Sequence, residues 1–376
     1  MNGEAKRLPL NLPDDFLWPD YEGRSIGNIP ATVATMLRVP FTGLPPLRPA
    51  LWQPLGEVRR VVLLLVDSLG WNLFEQARPY LDSVLREAAV VGQLTSIFPS
   101  TTVAALSTLW TGLAPAQHGL VGLRLFFPEY AVAAQMLRFS PVFRSYPNAL
   151  IEAGLKPESF LHGPGFAQQL AAGGVPTHAF KGYEIIDSAL SKMHNRGVAG
   201  DHGIATVADL FVQMRLLLEK TAGEPLYLSA YWPTIDGLSH LYGWRHASVM
   251  AELRAIFAQL DVEFLQPLSA AARRDTALFI AADHGQVVSP PEQHVQLEDH
   301  PELRQMLLMR PTGEPRVAYL YARQGRQRDL VDYINERLGQ VMVAISAEEA
   351  LDAGLFGPSP HAPATRERLG DVVVIM

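Results

Sequence analysis

The stretch Val61 to Asp67, reading VVLLLVD and followed shortly by Gly70, constrains the fold of this chain more than any other segment. A short, unbroken aliphatic run closed by an acid and a glycine is the mark of a parallel strand buried on both faces. Comparable runs recur at Leu226 to Tyr231 (LYLSAY), Thr276 to Ala282 (TALFIAA), Arg316 to Ala322 (RVAYLYA) and Val372 to Met376 (VVVIM). Between them, Thr206 to Lys220 and Ser248 to Leu268 place apolar residues three and four apart, the period of a helix with one buried face. Strands alternating with helices predict an α/β fold: a doubly wound, mostly parallel central sheet with helices on both faces. Ligands in such sheets sit beyond the carboxyl ends of strands, so polar residues there are the first candidates for chemistry.

A length of 376 residues accommodates one large α/β domain with insertions. Residues 1–55 are rich in proline and lack sustained periodicity apart from a short helix predicted at Ala31 to Leu37, so they read as an N-terminal wrapping arm. Residues 56–376 then read as one domain carrying the strands and helices described above. Two segments break its pattern, 124–148 with many aromatics and arginines and 289–315 with charges and prolines, and both read as lids or insertions. A formal net charge of −7 argues against a nucleic acid polymer as partner and favours small substrates. With no cysteine, disulfides, thiolate metal sites and cysteine nucleophiles are excluded. The N-terminus has no apolar core of a signal peptide, and the Val61 to Val66 run is too short to cross a bilayer, so a soluble cytoplasmic protein with no membrane association is expected.

Five clusters combine acids, histidines and a hydroxyl near predicted strand ends. Asp67 closes the first strand, where it serves either as a turn or cap residue or as a metal ligand. In FPSTTVAALSTLWTGL, Ser100 or Thr101 suits a helix cap, which leaves one threonine surplus. A hydroxyl in the first helical turn faces free amides and the positive end of the helix dipole, favourable to a phosphoryl group and to an incipient alkoxide; Thr102 gains both. Asp236 and His240 are four residues apart and share a helical face, as a metal-binding pair or as an ordinary surface pair. Asp283 and His284 follow an apolar strand and serve one site only where the chain turns, a role Gly285 suits. His361, in a loop, is a surface histidine on local grounds, with His294 and His300 as substitutes, whereas His118 reads as a turn histidine.

Their order carries more than any single cluster. It suggests two ligand sets: Asp236, His240 and His361 in one, and Asp67, Asp283 and His284 with Thr102 in the other. Carboxylates and imidazoles without thiolates suit zinc, with manganese or iron as the other candidates.

A strand-ending Asp67, a nucleophile opening a helix, Asp236-x-x-x-His240, Asp283-His284-Gly285 and a late His361, in that order from Val61 to Met376, resemble the alkaline phosphatase superfamily, most closely its nucleotide pyrophosphatase/phosphodiesterase family. The resemblance implies two divalent metal ions, a phosphothreonine intermediate, and a small phosphoester or nucleotide substrate. A glycine ten residues after the nucleophile is typical of the superfamily, and Gly112 selects Thr102. Relatives place Phe-Pro-Asn after the threonine, whereas Phe98-Pro99-Ser100 precedes it here, which keeps Thr101 as the alternative. Tyr231 occupies the place of a base-stacking tyrosine, but Val103 replaces the facing phenylalanine. Arg124 is the candidate substitute for a phosphate-binding asparagine. The expected activity is that of a phosphodiesterase or nucleotide pyrophosphatase. A phosphomonoesterase, a phosphonate hydrolase and a phosphomutase of the same superfamily are the alternatives.

Overall fold

A computed structural model describes Leu10, Leu12 and residues 16–376 except Ser145. The rest of the arm's first 15 residues lies outside the described residues. Among those described, the strands are β1 Arg60–Val66, β2 Arg124–Phe127, β3 Val132–Gln135, β4 Ser140–Pro141, β5 Thr177–Gly182, β6 Gly200–Ile204, β7 Leu226–Trp232, β8 Thr276–Ala281, β9 Thr312–Gly313, β10 Val317–Leu320, β11 Val343–Ser346 and β12 Val372–Ile375.

They form two sheets. The first is parallel, in the order β6-β5-β7-β1-β8. Alternate residues of β1 enter opposite cores: Val61, Leu63 and Leu65 face one apolar cluster, while Val62, Leu64 and Val66 face another. The second cluster is closed by helices Val207–Lys220 and Ala247–Gln259, whose predicted apolar faces supply Leu210, Phe211, Met214, Leu253 and Ile256. Each such aliphatic side chain contributes roughly 1.5–3 kcal/mol by leaving water, so a strand buried on both sides anchors the domain.

The second sheet runs β11-β12-β10-β9-β2-β3-β4 and is antiparallel. Here the structure corrects the sequence reading, because the runs at 316–322 and 372–376 belong to this sheet and not to the parallel one. Val373 and Ile375 of β12 face the first core, while Val372 and Val374 face a third beneath helix Gln327–Arg337. An unbroken aliphatic run therefore reports burial on two sides and says nothing of strand direction. Conversely β5 (THAFKG) and β6 (GDHGI) belong to the parallel sheet, yet their histidines, glycines and charges conceal them. The two segments read as insertions meet in the second sheet, where Arg124 of β2 pairs with Gly313 of β9.

The arm helix, Ile29–Met36, is buried almost throughout. The arm also grips both ends of helix Thr102–Thr111: the Tyr21 hydroxyl accepts from the Phe98 amide at 3.1 Å, and the Leu44 amide donates to the Gly112 carbonyl at 2.8 Å.

Candidate active site

Equal register positions the site. Arg60 of β1 pairs with both Leu226 of β7 and Thr276 of β8, so the three adjacent strands end side by side. Asp67 follows β1, Asp283 follows β8 after one intervening residue, and Asp236 lies in helix Thr234–Tyr242, which opens just after β7. The loops after β1 and β8 touch glycine on glycine: a Cβ on Gly70 would lie 2.5 Å from the Gly285 Cα. Gly285 is thus needed for close approach, and it has no positive φ; in the facing loop Ser68 takes the left-handed conformation, with φ +62°.

Thr102 opens its helix and Thr101 holds the cap position, although no side chain makes the expected capping hydrogen bond. Gly112 ends the helix in the left-handed conformation, where a Cβ would collide with the Phe41 ring at 2.2 Å. The ten-residue interval is therefore the length of this helix.

The Thr102 Oγ1 lies 3.0 Å from His284 Nε2. The same nitrogen is 3.6 Å from Asp67 Oδ1 and 3.5 Å from Asp283 Oδ2. His284 Nδ1 is 3.1 Å from the Gly285 carbonyl oxygen, which only accepts, and the tautomer with its proton on Nδ1 leaves Nε2 to present a lone pair. Asp283 is fully buried; its Oδ1 accepts from the amides of Ser68 and His284 at 3.1 and 2.9 Å. One oxygen of Asp67 accepts from the Tyr231 hydroxyl. The other oxygens, Asp67 Oδ1 and Asp283 Oδ2, are buried with no hydrogen-bond donor. Burial beside the Asp283 and Asp236 carboxylates pushes the Asp67 pKa up to about 10. Carboxylate oxygens deprived of donors and facing an imidazole lone pair are a set that a divalent cation satisfies. Among the described residues, Asp67, Asp236 and His284 form the one group with ligand atoms all within 4.8 Å of one another.

The second predicted set is looser. His240 Nε2 lies 3.4 Å from Asp236 Oδ1, but the His240 side chain is 73% exposed. His361 makes no hydrogen bond to Asp236 or His240, and its Nε2 is buried without a partner. The substitutes lie elsewhere: His294 Nε2 is 3.1 Å from the Ser289 carbonyl, and His300 Nδ1 is 3.1 Å from the Tyr333 hydroxyl. His118 is not a turn residue but closes the short helix Pro115–His118; it is buried and its Nε2 lies 3.1 Å from the Thr108 hydroxyl.

Tyr231 spends its hydroxyl on Asp67, and burial raises its pKa well above the usual value. Val103 is buried in the helix interior. Arg124 is exposed and stands near Glu314, a carboxyl not singled out by sequence. Glu314 accepts from the Leu123 amide at 2.5 Å, and burial lifts its pKa to about 7. Ser68 and Gln286 were also missed. Their adjacency to Asp67 and to the Asp283-His284 pair was the available signal.

A family model for type I phosphodiesterase / nucleotide pyrophosphatase matches residues 61–376. No curated protein sequence matches the chain. Among solved structures, murine ectonucleotide pyrophosphatase/phosphodiesterase 5 is similar at a TM-score of 0.60 and 16% identity, over 84% of this chain and 78% of that one. Its inactive form, solved in complex with AMP, gives the same values. The phosphonoacetate hydrolase of Sinorhizobium meliloti 1021, solved with phosphonoformate, is similar at a TM-score of 0.60 and 17% identity, over 85% of this chain and 81% of that one. These likenesses agree with the parallel sheet flanked by helices, and with the match spanning the whole catalytic region, the chain belongs to the type I phosphodiesterase/nucleotide pyrophosphatase family, phosphoester hydrolases of the alkaline phosphatase superfamily.

Proposed function

We propose that this chain is a phosphodiesterase or nucleotide pyrophosphatase acting on small substrates, with Thr102 as nucleophile. The observation that carries the reading is the Thr102 hydroxyl at the mouth of a helix, 3.0 Å from an imidazole lone pair and beside two buried, donorless carboxylate oxygens. Asp67, Asp283 and His284, with the Thr102 hydroxyl, would hold one divalent cation; Asp236, His240 and His361 would hold the other, with the unpartnered His361 Nε2 supporting its place there. Zinc is the expected ion for such nitrogen and oxygen ligands, with manganese or iron as alternatives. When bound, the cations would lower the pKa of the attacking hydroxyl and neutralise charge on the leaving oxygen.

In the first step the Thr102 oxygen forms a bond to phosphorus as the bond to the leaving oxygen breaks, leaving a phosphothreonine. Water then cleaves that ester and restores the hydroxyl. The free amides of the first helical turn would orient the phosphoryl oxygens, and Arg124, exposed near Glu314, would neutralise a further charge. Tyr231 keeps Asp67 in place through its hydroxyl.

A chromogenic phosphodiester should turn over faster than the matching monoester by roughly tenfold or more. The reverse preference would leave a monoesterase. Release of phosphate from phosphonoacetate, with neither ester cleaved, would replace the reading with a phosphonate hydrolase like the neighbour solved with phosphonoformate. Thr102→Ala should lower kcat by about 1,000-fold or more with bound metal unchanged. Full activity in that variant would move the nucleophile to Thr101.

A further inference from the structure

Ser68 is a buried non-glycine residue at φ +62°, a backbone conformation that normally selects glycine. Such a position is strained for a residue with a side chain, and strain of this kind concentrates at functional sites. The Ser68 hydroxyl donates to Asp236 Oδ1 at 2.7 Å and lies 3.2 Å from His284 Nδ1. The Ser68 amide donates to Asp283 Oδ1 at 3.1 Å. Gln286 closes the arrangement: its Nε2 donates to Asp236 Oδ1 at 2.8 Å and lies 3.3 Å from the Ser68 hydroxyl.

Three acidic or imidazole groups from two strand ends are thus joined through Ser68, which follows a third, by its hydroxyl and its amide. Asp236 Oδ1 already receives Ser68 and Gln286, with His240 Nε2 a further 3.4 Å away, so Oδ2 is the Asp236 oxygen left for a cation. We propose that Ser68 and Gln286 are positioning residues that hold Asp236 to a single available oxygen and tie its orientation to that of His284. This rests on the reading of the site as a cation centre. An oxygen held in this way loses little freedom when a cation arrives, and residues in that role commonly control metal affinity.

The test is Zn2+ affinity of the full chain, measured by chelator competition, for wild type, Ser68→Ala, Ser68→Gly, Gln286→Ala and Asp67→Asn. Ser68→Gly removes both the hydroxyl and the strain, so it should fold at least as stably as wild type without metal, yet bind Zn2+ roughly 10–100-fold more weakly. Ser68→Ala should show the same loss of affinity while keeping the strain, and Gln286→Ala a smaller one. Affinity in both Ser68 variants indistinguishable from wild type, with Asp67→Asn still weakened, would overturn the proposal while leaving the cation centre intact. Affinity unchanged in Asp67→Asn would overturn the cation reading and this proposal with it.

Discussion

The two proposed halves of the cation centre are built to different standards. Asp67, Asp283 and His284 stand at the ends of neighbouring parallel strands, and each side-chain atom not aimed at the cavity has a partner from a strand, an amide or a carbonyl. On the other side, Asp236 is held by side chains alone, His240 is mostly exposed, and His361 sits in a loop with its buried Nε2 in no hydrogen bond. A half placed by sheet register is ready before a cation arrives. A half placed by a helix surface and a loop must be gathered by the ion or the substrate.

The largest expected effect tests the rigid half. Asp283→Asn keeps the shape but neutralises a buried oxygen that has no other partner, and should lower kcat/KM by about 1,000-fold or more, with metal lost on dialysis. Retention of metal and activity would remove the distinction between the halves. His240→Ala and His361→Ala should cost less, roughly 10–100-fold in activity, and excess metal should restore much of it. If either is as damaging as Asp283→Asn and beyond rescue by metal, the second half is as preformed as the first.

Acidity sharpens the comparison further. Asp67 has a folded pKa raised from 3.8 to about 10, so its protonated form favours the apo fold at low pH, and that contribution is lost as pH rises toward 10. A cation displaces the proton and removes the penalty. Zinc binding should therefore release protons near neutral pH, and the gap in Tm between metal-loaded and metal-free protein should widen as pH rises. Calorimetry in buffers of different ionisation enthalpy would detect the protons, and their absence would place the bound ion away from Asp67.

The smallest effect concerns Glu314, near Arg124. Glu314 is raised from 4.5 to about 7, so the stability it contributes is full below pH 4.5 and fades as pH rises through 7. Glu314→Gln should flatten the stability profile across that window by roughly 1–3 kcal/mol, read from urea midpoints at several pH values. An unchanged slope would mean that Glu314 is not the group responsible.

Much of the rigid half was legible because strand ends are legible. An aliphatic run followed by an acid names both the element and the residue at its carboxyl end, as at Val66-Asp67 and after β8. The start of the helix at Thr102 was readable for a similar reason, since Pro99 and Gly112 bracket that helix. The direction of β10 and β12 was hidden, because burial on both faces gives the same residues whichever way the neighbouring strand runs. Strands β5 and β6 were hidden by polar composition. The roles of Ser68, Gln286 and Glu314 depend on a backbone angle and on contacts between residues as far as 218 positions apart, which no local pattern encodes.

The contact of Gly70 with Gly285 has a consequence for change at this site. With no side chain between them, the loop that follows β1 and the loop that follows β8 are spaced by the thickness of bare main chain, and a single methyl group on either would act as a wedge. The spacing of Asp67 from the Asp283-His284 pair thus depends on two residues that carry no side chain at all. Alteration of either glycine should therefore disturb ion binding as much as alteration of an acid, with every ligand still in place.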